Sequence, residues 1–309
     1  MTAGPSLWLD ALGLEVRFRD VSGIRTRCLE AGDGPPAIVM HGIEASAENH
    51  VRNLAALGTR RRVVAPDLLG HGLTDKPDGG YDIADYGRHV LALMDALGIE
   101  RADLVGQSLG GWIACWLALE APDRVGALVL NTMAGLPVAG ADGWEAFAGL
   151  VARSAQAVES LDRALIRRRL EWVVADATTV TDELVELRRR LWDQPGWQRI
   201  AGRVVTLLTP ERYVPQQIDE AALARIEAPV LVLWTRANPV HGLDAAERAV
   251  AALPRGRLAI VEDAGHWPQF EQPDAFNAAV LDFLPDPSTT GGGSRTASRG
   301  EARNTTTAA

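Results

Sequence analysis

Short apolar runs alternate with amphipathic stretches along most of this chain. The apolar runs predict buried strands, and the stretches between them repeat apolar residues at helical spacing. The strands are predicted at 14–20, 24–30, 37–40, 62–65, 103–105, 127–130, 230–234 and 257–261. The first two flank a turn at Ser22-Gly23 and predict an antiparallel pair. The alternation that follows predicts an α/β fold, with a mostly parallel eight-stranded sheet and helices on both faces.

Between residues 134 and 212 the strand pattern disappears. Only helical patterns occur there, at 146–157, 161–174, 181–192 and 197–208. Such an insertion between the sixth and seventh strands would lie over the carboxyl ends of the strands, where open α/β sheets bind ligands. We therefore predict a core of 1–133 and 213–286, a helical lid at 134–212, and a tail at 287–309. The tail is rich in Gly, Ser and Thr and predicts disorder, because it has little apolar surface to bury.

Composition narrows the class of protein. The chain has 309 residues, of which 47% are hydrophobic and 23% charged, as in ordinary globular proteins. Its net charge of −9 argues against a nucleic-acid partner. We expect a cytoplasmic protein without a membrane partner, because no signal peptide and no spanning apolar run is visible. Cys28 and Cys115 lack metal or redox spacing, so we expect both to be buried and expect neither a metal nor a cofactor. The sequence does not fix the oligomeric state, and a homodimer is one option.

A G-x-S-x-G motif marks the candidate nucleophile. Residues 106–110 read G-Q-S-L-G, after a predicted strand and before a predicted helix. That context places Ser108 on a sharp strand-to-helix turn, with its hydroxyl exposed and the helix N-terminus beside it. The alternative, a serine that only caps the helix, is common in proteins.

Two further segments complete a hydrolase constellation. His266 follows the last predicted strand, so it would lie at the carboxyl edge of the sheet and act as the general base. The turn that contains Gly42 and Ile43 follows the third strand. We expect the backbone amides of Ile43 and Leu109 to form an oxyanion hole, with Gly42 against the substrate.

With these pieces in order, the chain resembles the α/β-hydrolase superfamily over residues 14–285, and most of all the meta-cleavage product hydrolases. The resemblance rests on residues 67–77 (DLLGHGLTDKP), 265–271 (GHWPQFE), 109–111, 276–277 and 281–283. Members of that family cut a carbon–carbon bond in vinylogous 1,5-diketones from aromatic degradation.

The resemblance also implies three substrate-binding positions. Asn49 matches the family's oxyanion-loop asparagine, Trp267 matches the tryptophan after the catalytic histidine, and Arg188 matches a lid arginine that grips the dienoate carboxylate. An arginine fork suits a carboxylate because it can bind both oxygens. The alternative for Arg188, and our preference for most arginines of the lid, is a solvated helix face.

The family pattern breaks at the catalytic acid. Asn238 occupies the position after the seventh strand where an aspartate is expected, and the position after the sixth strand holds Asn131-Thr132. Replacing the acid of a serine-protease triad by its amide costs roughly 10⁴ in turnover. Asp244 and Asp263 lie nearby, but we expect them to start a helix and to end a strand. Glu44 is a second departure, and we expect its side chain to point outward.

The sequence therefore predicts a cofactor-free serine hydrolase with Ser108, His266 and Asn238 as its catalytic residues. Its substrate would be small and apolar or aromatic-derived, with or without a carboxylate, and the bond cut would be carbon–carbon or an ester. The missing acid keeps two alternatives open. One is a lyase, isomerase or cyclase of secondary metabolism on the same fold, and the other is a ligand-binding protein.

Overall fold

The strands of the described residues form one twisted sheet. The structure is a computed structural model, and it describes residues 6–138 and 140–284. In this part of the chain the sheet has eight strands in the order β1-β2-β4-β3-β5-β6-β7-β8. The strands are β1 (Glu15–Val21), β2 (Ile24–Ala31), β3 (Pro36–Met40), β4 (Arg62–Pro66), β5 (Ala102–Gln107), β6 (Val125–Asn131), β7 (Val230–Trp234) and β8 (Gly256–Ile260).

Strand directions agree with the sequence pattern. β1 pairs with β2 and β2 with β4 in antiparallel fashion, while the pairs from β4 to β8 are parallel. The central strands are buried on both faces, as a sheet covered by helices requires. The predicted fold class is confirmed, including the antiparallel pair at the start.

Helices cover both faces of the sheet and form the insertion. Around the sheet lie α1 (Leu7–Asp10), α2 (Val51–Gly58), α3 (Ile83–Ala96), α4 (Leu109–Glu120), α11 (Leu243–Ala252), α12 (Pro268–Glu271) and α13 (Pro273–Phe283). Between β6 and β7 lie α5 (Gly140–Ser160), α6 (Arg163–Glu171), α7 (Asp182–Trp192), α8 (Trp197–Val205), α9 (Pro210–Tyr213) and α10 (Glu220–Leu223). Short 3₁₀ turns occur at Ala47–His50, Pro122–Arg124, Ala177–Thr179, Thr206–Leu208 and Val214–Gln216.

Helix caps explain where the lid helices begin. The Asp162 side chain accepts hydrogen bonds from the amides of Ala164 and Leu165, so α6 starts two residues later than the apolar pattern indicated. Thr181 caps α7 in the same way through the amide of Leu184. These caps separate the lid into distinct helices that pack over the carboxyl edge of the sheet.

Three expectations concern the ends and the environment of the chain. The tail predicted at 287–309 lies outside the described residues. Cys28 and Cys115 are both buried with free thiols, as expected. Within the described ranges, no helix is long and apolar enough to cross a membrane.

Candidate active site

The backbone at Ser108 forms a strained turn between β5 and α4. Ser108 has φ +52° and ψ −112°, a conformation that costs about 1–3 kcal/mol and persists only where its surroundings enforce it. The Ser108 amide donates to the Asn131 carbonyl over 3.0 Å, which ties the turn to β6. Gly106 and Gly110 permit the turn, because a Cβ on Gly106 would lie 2.3 Å from the backbone of Gly110. The geometry agrees with a nucleophile elbow, but the expectation of an exposed hydroxyl was wrong, because Ser108 is 6% exposed and lies at a cavity lined in part by lid residues.

Two backbone amides lie near Ser108: that of Ile43, which lines the same cavity, and that of Leu109, the next residue in the chain. Among the described residues, neither the Ile43 amide nor the Leu109 amide donates a hydrogen bond. Leu109 is the first residue of α4, so its amide belongs to the positive end of the helix. Gly42 packs against the nucleophile, and a Cβ on it would lie 3.2 Å from the Ser108 Cβ and 2.4 Å from the Gln107 Oε1. An oxyanion held by the two amides would therefore lie beside the Ser108 hydroxyl.

The backbone of His266 is fixed from three sides. Its amide donates to the Val173 carbonyl (2.6 Å), and its carbonyl accepts from the Thr132 hydroxyl (2.9 Å) and the Gln107 Nε2 (3.2 Å). The ring is buried. Burial, and then the positive charges of Arg169 and His241, lower the pKa of His266 to about 3. His266 is therefore a neutral imidazole at pH 7. It can accept a proton, but it is a weak base because its protonated form is unfavourable in this site.

Asn238 holds the His266 ring. The Asn238 Oδ1 lies 2.8 Å from the His266 Nδ1 and 3.2 Å from the Val240 amide. The Val240 amide is an obligatory donor, so the atom that faces it must be the carbonyl oxygen of the Asn238 side chain. That same oxygen then accepts from His266, which places the ring proton on Nδ1 and leaves Nε2 free. An asparagine here thus selects the tautomer that a general base needs.

The other candidate acids lie apart from His266. Asp244 is exposed in the first turn of α11 and pairs with Arg248 at 2.6 Å. Asp263 is exposed in the turn after β8, with φ +54°. At the end of β6, the Asn131 side chain donates to Gln269 over 2.8 Å and not to His266. Among the described residues, no carboxylate contacts the imidazole.

The Ser108 hydroxyl and the His266 ring lie at one cavity but share no hydrogen bond as they stand. Catalytic hydrogen bonds are often long in the absence of substrate and tighten when it binds. His266 can act as the base of Ser108 only in a state in which the two side chains form that hydrogen bond.

Arg188 and Asn49 lie together beneath the oxyanion loop. Arg188 is 4% exposed, and its two terminal nitrogens donate to the Glu44 carbonyl and, over 2.9 Å, to the Asn49 Oδ1. Its guanidinium carbon is 5.9 Å from the ring centre of Trp267. No carboxylate of the described residues lies within ion-pair distance of Arg188. Burial is the main cause that lowers its pKa to about 10. The solvated alternative for Arg188 is thus wrong.

Glu44 also departs from the sequence-based expectation. It is 3% exposed and points inward, where its Oε2 accepts from the Ser154 hydroxyl (2.6 Å) and from Arg169 (3.0 Å). The expectation failed because the lid supplies two donors that the loop sequence does not reveal. Arg169 is likewise 6% exposed rather than solvated. Its position gave a signal, because it lies three residues after Ile166 and next to Leu170, on the buried face of α6.

The cavity itself is narrow and mostly apolar. It is lined by backbone and side chains of Gly42, Ile43, Gln107, Ser108, Ala134, Phe147, Leu150, Arg169, Val173, Leu208, Val240, His266 and Trp267. Its volume is about 30 Å³, enough for two or three waters at roughly 10–15 Å³ each. A substrate the size of a dienoate therefore needs more room than this cavity has in the structure. Of the lid tryptophans, Trp192 and Trp197 are buried against core residues and do not line the cavity: Trp192 donates to the Glu44 carbonyl, and the Trp197 ring lies 5.6 Å from the His71 ring.

Side chains that might hold a metal are not grouped. Nowhere in the part of the chain that the structure describes do three His, Cys, Asp or Glu side chains come together.

Comparisons with known proteins agree on the fold and the family. Residues 35–273 match the family model described as alpha/beta hydrolase fold. The chain is 31% identical over 266 residues to a 2-hydroxymuconate semialdehyde hydrolase of Pseudomonas putida, covering 85% of this chain and 92% of the relative. It is also 30% identical over 267 residues to a 2-hydroxy-6-oxo-2,4-heptadienoate hydrolase of Pseudomonas putida strain F1, covering 85% of this chain and 93% of the relative.

Solved structures give the same result. A meta-cleavage product hydrolase from Pseudomonas fluorescens superimposes with a TM-score of 0.75 at 29% identity, covering 86% of this chain and 96% of that one. These similar proteins are named hydrolases, so the comparisons do not favour the lyase, isomerase, cyclase or binding-protein alternatives.

Proposed function

The chain belongs to the α/β-hydrolase fold family, and within it we propose that this protein cuts the carbon–carbon bond of a 2-hydroxy-6-oxo-dienoate with water. The observation that carries the proposal is the convergence on one cavity of a strained Ser108, the His266 imidazole with its Nδ1 held by Asn238, and Ile43, whose amide has no acceptor in the described residues. Each of these features is costly in a protein that does not use it.

The first step that this site supports is a proton shift within the substrate. A carbon–carbon bond breaks readily only when the departing carbon can carry the electron pair. Transfer of the 2-hydroxyl proton to C5 converts the dienol into a diketone. When the C5–C6 bond then breaks, its electron pair is delocalised from C5 to the C2 oxygen, which forms a dienolate. The neutral His266, with its free Nε2, is placed to carry that proton.

The second step is acyl transfer at C6. The Ser108 oxygen attacks the C6 carbonyl as His266 takes the hydroxyl proton, and the amides of Ile43 and Leu109 hold the oxyanion. Collapse breaks the C5–C6 bond and releases the dienol with the proton from His266. Water then hydrolyses the acyl-Ser108 ester by the same base, which leaves a carboxylic acid and the free serine. One oxyanion donor is typically worth roughly 3 kcal/mol in the transition state.

Arg188 and Asn49 complete the substrate site in this proposal. A buried guanidinium without a carboxylate partner is unfavourable unless an anion joins it. The dienoate carboxylate supplies that anion, with Asn49 holding the fork in place and Trp267 packing beside it. The bidentate geometry of arginine suits this group.

Asn238 sets the strength of the base. It selects the useful tautomer of His266 but brings no negative charge to the imidazolium that forms. We therefore expect a working hydrolase that is slower than one with aspartate at this position.

The test is turnover of 2-hydroxy-6-oxo-hepta-2,4-dienoate, followed by the loss of its visible absorbance and by identification of both products. The proposal predicts acetate and 2-hydroxypenta-2,4-dienoate in equal amounts, with His266→Ala as the inactive control. p-Nitrophenyl acetate serves as the comparison substrate. Turnover of the ester alone would identify a general esterase, and turnover of neither by folded protein would refute the hydrolase assignment.

A further inference from the structure

The side chain of Glu44 joins the oxyanion loop to two helices of the lid. This loop comprises residues 41–46, between β3 and the first 3₁₀ turn. The Glu44 Oε2 accepts from the Ser154 hydroxyl of α5 over 2.6 Å and from the Arg169 Nη2 of α6 over 3.0 Å. All three side chains are buried. The contact is costly to break, because each buried charge would then lose its partner.

The backbone of Glu44 is held by a third helix of the lid. Its carbonyl accepts from an Nη of Arg188 and, over 3.2 Å, from the Trp192 Nε1, and both of these side chains belong to α7. Within the described residues, no core residue forms a hydrogen bond with Glu44, either at its backbone or at its side chain. The lid therefore supplies every hydrogen bond that Glu44 makes in this part of the chain.

The conformation of Glu44 requires such support. The Ala45 amide donates to the Gly42 carbonyl over 3.2 Å, which closes a β-turn with Ile43 and Glu44 at its centre. Glu44 has φ +58°, in the left-handed region where turns favour glycine or asparagine. A glutamate persists in that region only where its surroundings enforce it. The enforcing contacts come from the lid, and the turn that they hold contains the Ile43 amide.

Resting on the proposed function, in which the Ile43 amide holds the oxyanion, we propose that Glu44 is a positioning residue that makes this donor depend on the lid. With the lid docked, the bonds to Glu44 hold the turn and keep the Ile43 amide beside Ser108. Without those bonds, the turn relaxes towards a negative φ at Glu44 and the amide moves away. Acyl transfer is thereby confined to the state in which the lid also shields the site from water.

Ser154 is the most selective position for a test. Its hydroxyl reaches Glu44, but Ser154 does not line the catalytic cavity, so a change there acts on a substrate only through its neighbours. Ser154→Ala removes one donor and leaves the ion pair of Glu44 and Arg169 in place. Ser160→Ala is the matched control, because Ser160 is exposed on the same helix and makes only local hydrogen bonds.

Glu44→Gly completes a double-mutant cycle with Ser154→Ala. Glycine tolerates the positive φ but makes none of the side-chain contacts, so this variant separates the lid contacts from the backbone strain. Because it leaves Arg169 without a carboxylate, Glu44→Gln is the second variant at this position. It keeps an oxygen for Ser154 and Arg169, and it should lose less activity than Glu44→Gly.

The measured quantities are kcat and KM for p-nitrophenyl acetate and for the heptadienoate, 2-hydroxy-6-oxo-hepta-2,4-dienoate. We expect kcat on both substrates to fall about three- to tenfold in Ser154→Ala and about 10- to 100-fold in Glu44→Gly, because an oxyanion donor acts in the transition state. KM for the ester should change by less than about threefold, since the ester does not use Arg188. In the Glu44→Gly background, Ser154→Ala should cost less than about a further twofold.

Three kinetic results would overturn the inference. The first is an unchanged kcat in Ser154→Ala, and the second is an equal loss in Ser160→Ala. The third is a pair of losses that multiply fully in the double variant, because Ser154 would then act through Arg169 and not through Glu44.

Amide hydrogen exchange separates this inference from the proposed function. Mass spectrometry should show about threefold or faster exchange in a peptide covering residues 41–48 in Ser154→Ala than in wild type and Ser160→Ala, with no change in peptides of β5 and β6. Hydrolysis of the ester alone would make the carbon–carbon assignment wrong and leave the kinetic test in force on the ester. If neither substrate is hydrolysed, the proposed function is wrong. Equal exchange in the three proteins would overturn the dependence of the loop on the lid.

Discussion

Replacing Asn238 by aspartate tests how much the absence of a carboxylate beside His266 limits catalysis. The substitution keeps the shape of the side chain and puts a negative charge 2.8 Å from the His266 Nδ1. Elsewhere, loss of the acid costs roughly 10⁴ in turnover, chiefly because the wrong tautomer of the histidine is favoured. Here the Val240 amide already orients the carbonyl oxygen of Asn238, so the tautomer is correct.

The expected gain is therefore modest. A neutral hydrogen bond is worth about 1 kcal/mol and a charge-assisted one about 2 kcal/mol, so the charge adds about 1 kcal/mol to the transition state. That corresponds to a five- to tenfold rise in kcat/KM, roughly. The second carboxylate oxygen would take the place of the Asn238 Nδ2, which has no partner in the described residues. We expect this to lower the free energy of unfolding by about 1–3 kcal/mol.

The pH profile gives the more diagnostic readout. A general base works only when it is neutral, and the pKa of His266 is lowered to about 3, so wild-type kcat/KM should show no acid limb at any pH at which the protein is still folded. A carboxylate at 238 favours the imidazolium and raises that pKa, which moves the acid limb to higher pH. Asp263→Asn is the matched control, because its exposed carboxylate lies three residues before His266 without contacting it.

Two results would refute this reasoning. A gain of a thousandfold or more would mean that the tautomer is not held correctly by Asn238. An acid limb that is absent in Asn238→Asp, or that appears in Asp263→Asn, would mean that another group governs the charge of His266.

Three further predictions follow from the site and its surroundings. All six histidines are buried with a lowered pKa, so the unfolded chain binds protons that the folded chain does not as the pH falls below about 6.5. Each histidine lowers the free energy of unfolding by about 1.4 kcal/mol for every pH unit below that value. Circular dichroism should therefore show cooperative unfolding near pH ~5, and a folded protein at pH 4 would contradict this. Gly42→Ala should lower kcat for both the dienoate and the ester at least tenfold, because the new Cβ would lie 2.4 Å from the Gln107 Oε1 and force the neighbouring atoms to move. Unchanged kinetics would show that the site accommodates the methyl group without displacing the oxyanion loop. Arg188→Gln should lower kcat/KM for the heptadienoate by about 10- to 100-fold but for p-nitrophenyl acetate by less than fivefold, and equal losses would mean that Arg188 only supports the loop.

The sheet and the nucleophile turn could be predicted from sequence because both are encoded locally. Buried strands give continuous apolar runs, and the turn at Ser108 requires glycines at fixed positions on either side. The bounds of the lid helices were less accurate, since α6 begins where Asp162 caps it and not where its apolar pattern starts.

The lid side of the cavity could not be predicted in the same way. Glu44 looked solvent-facing because its partners, Ser154 and Arg169, lie more than a hundred residues away in sequence. The Val240 amide that orients Asn238 is a backbone group and has no signature in the sequence. Arg169 and Arg188 were hidden among clustered arginines, although the spacing of their apolar neighbours places both on buried helix faces.

Covalent labelling of Ser108 tests the central claim most directly. A fluorophosphonate requires an activated serine, and attack by Ser108 expels fluoride and leaves a phosphonyl group on its oxygen. Mass spectrometry of the digested protein should find one adduct, on the peptide that contains Ser108. The adduct should be absent in Ser108→Ala and form more slowly in His266→Ala. A folded wild-type protein that remains unlabelled, or that is labelled at another residue, would contradict the assignment of Ser108 as the nucleophile.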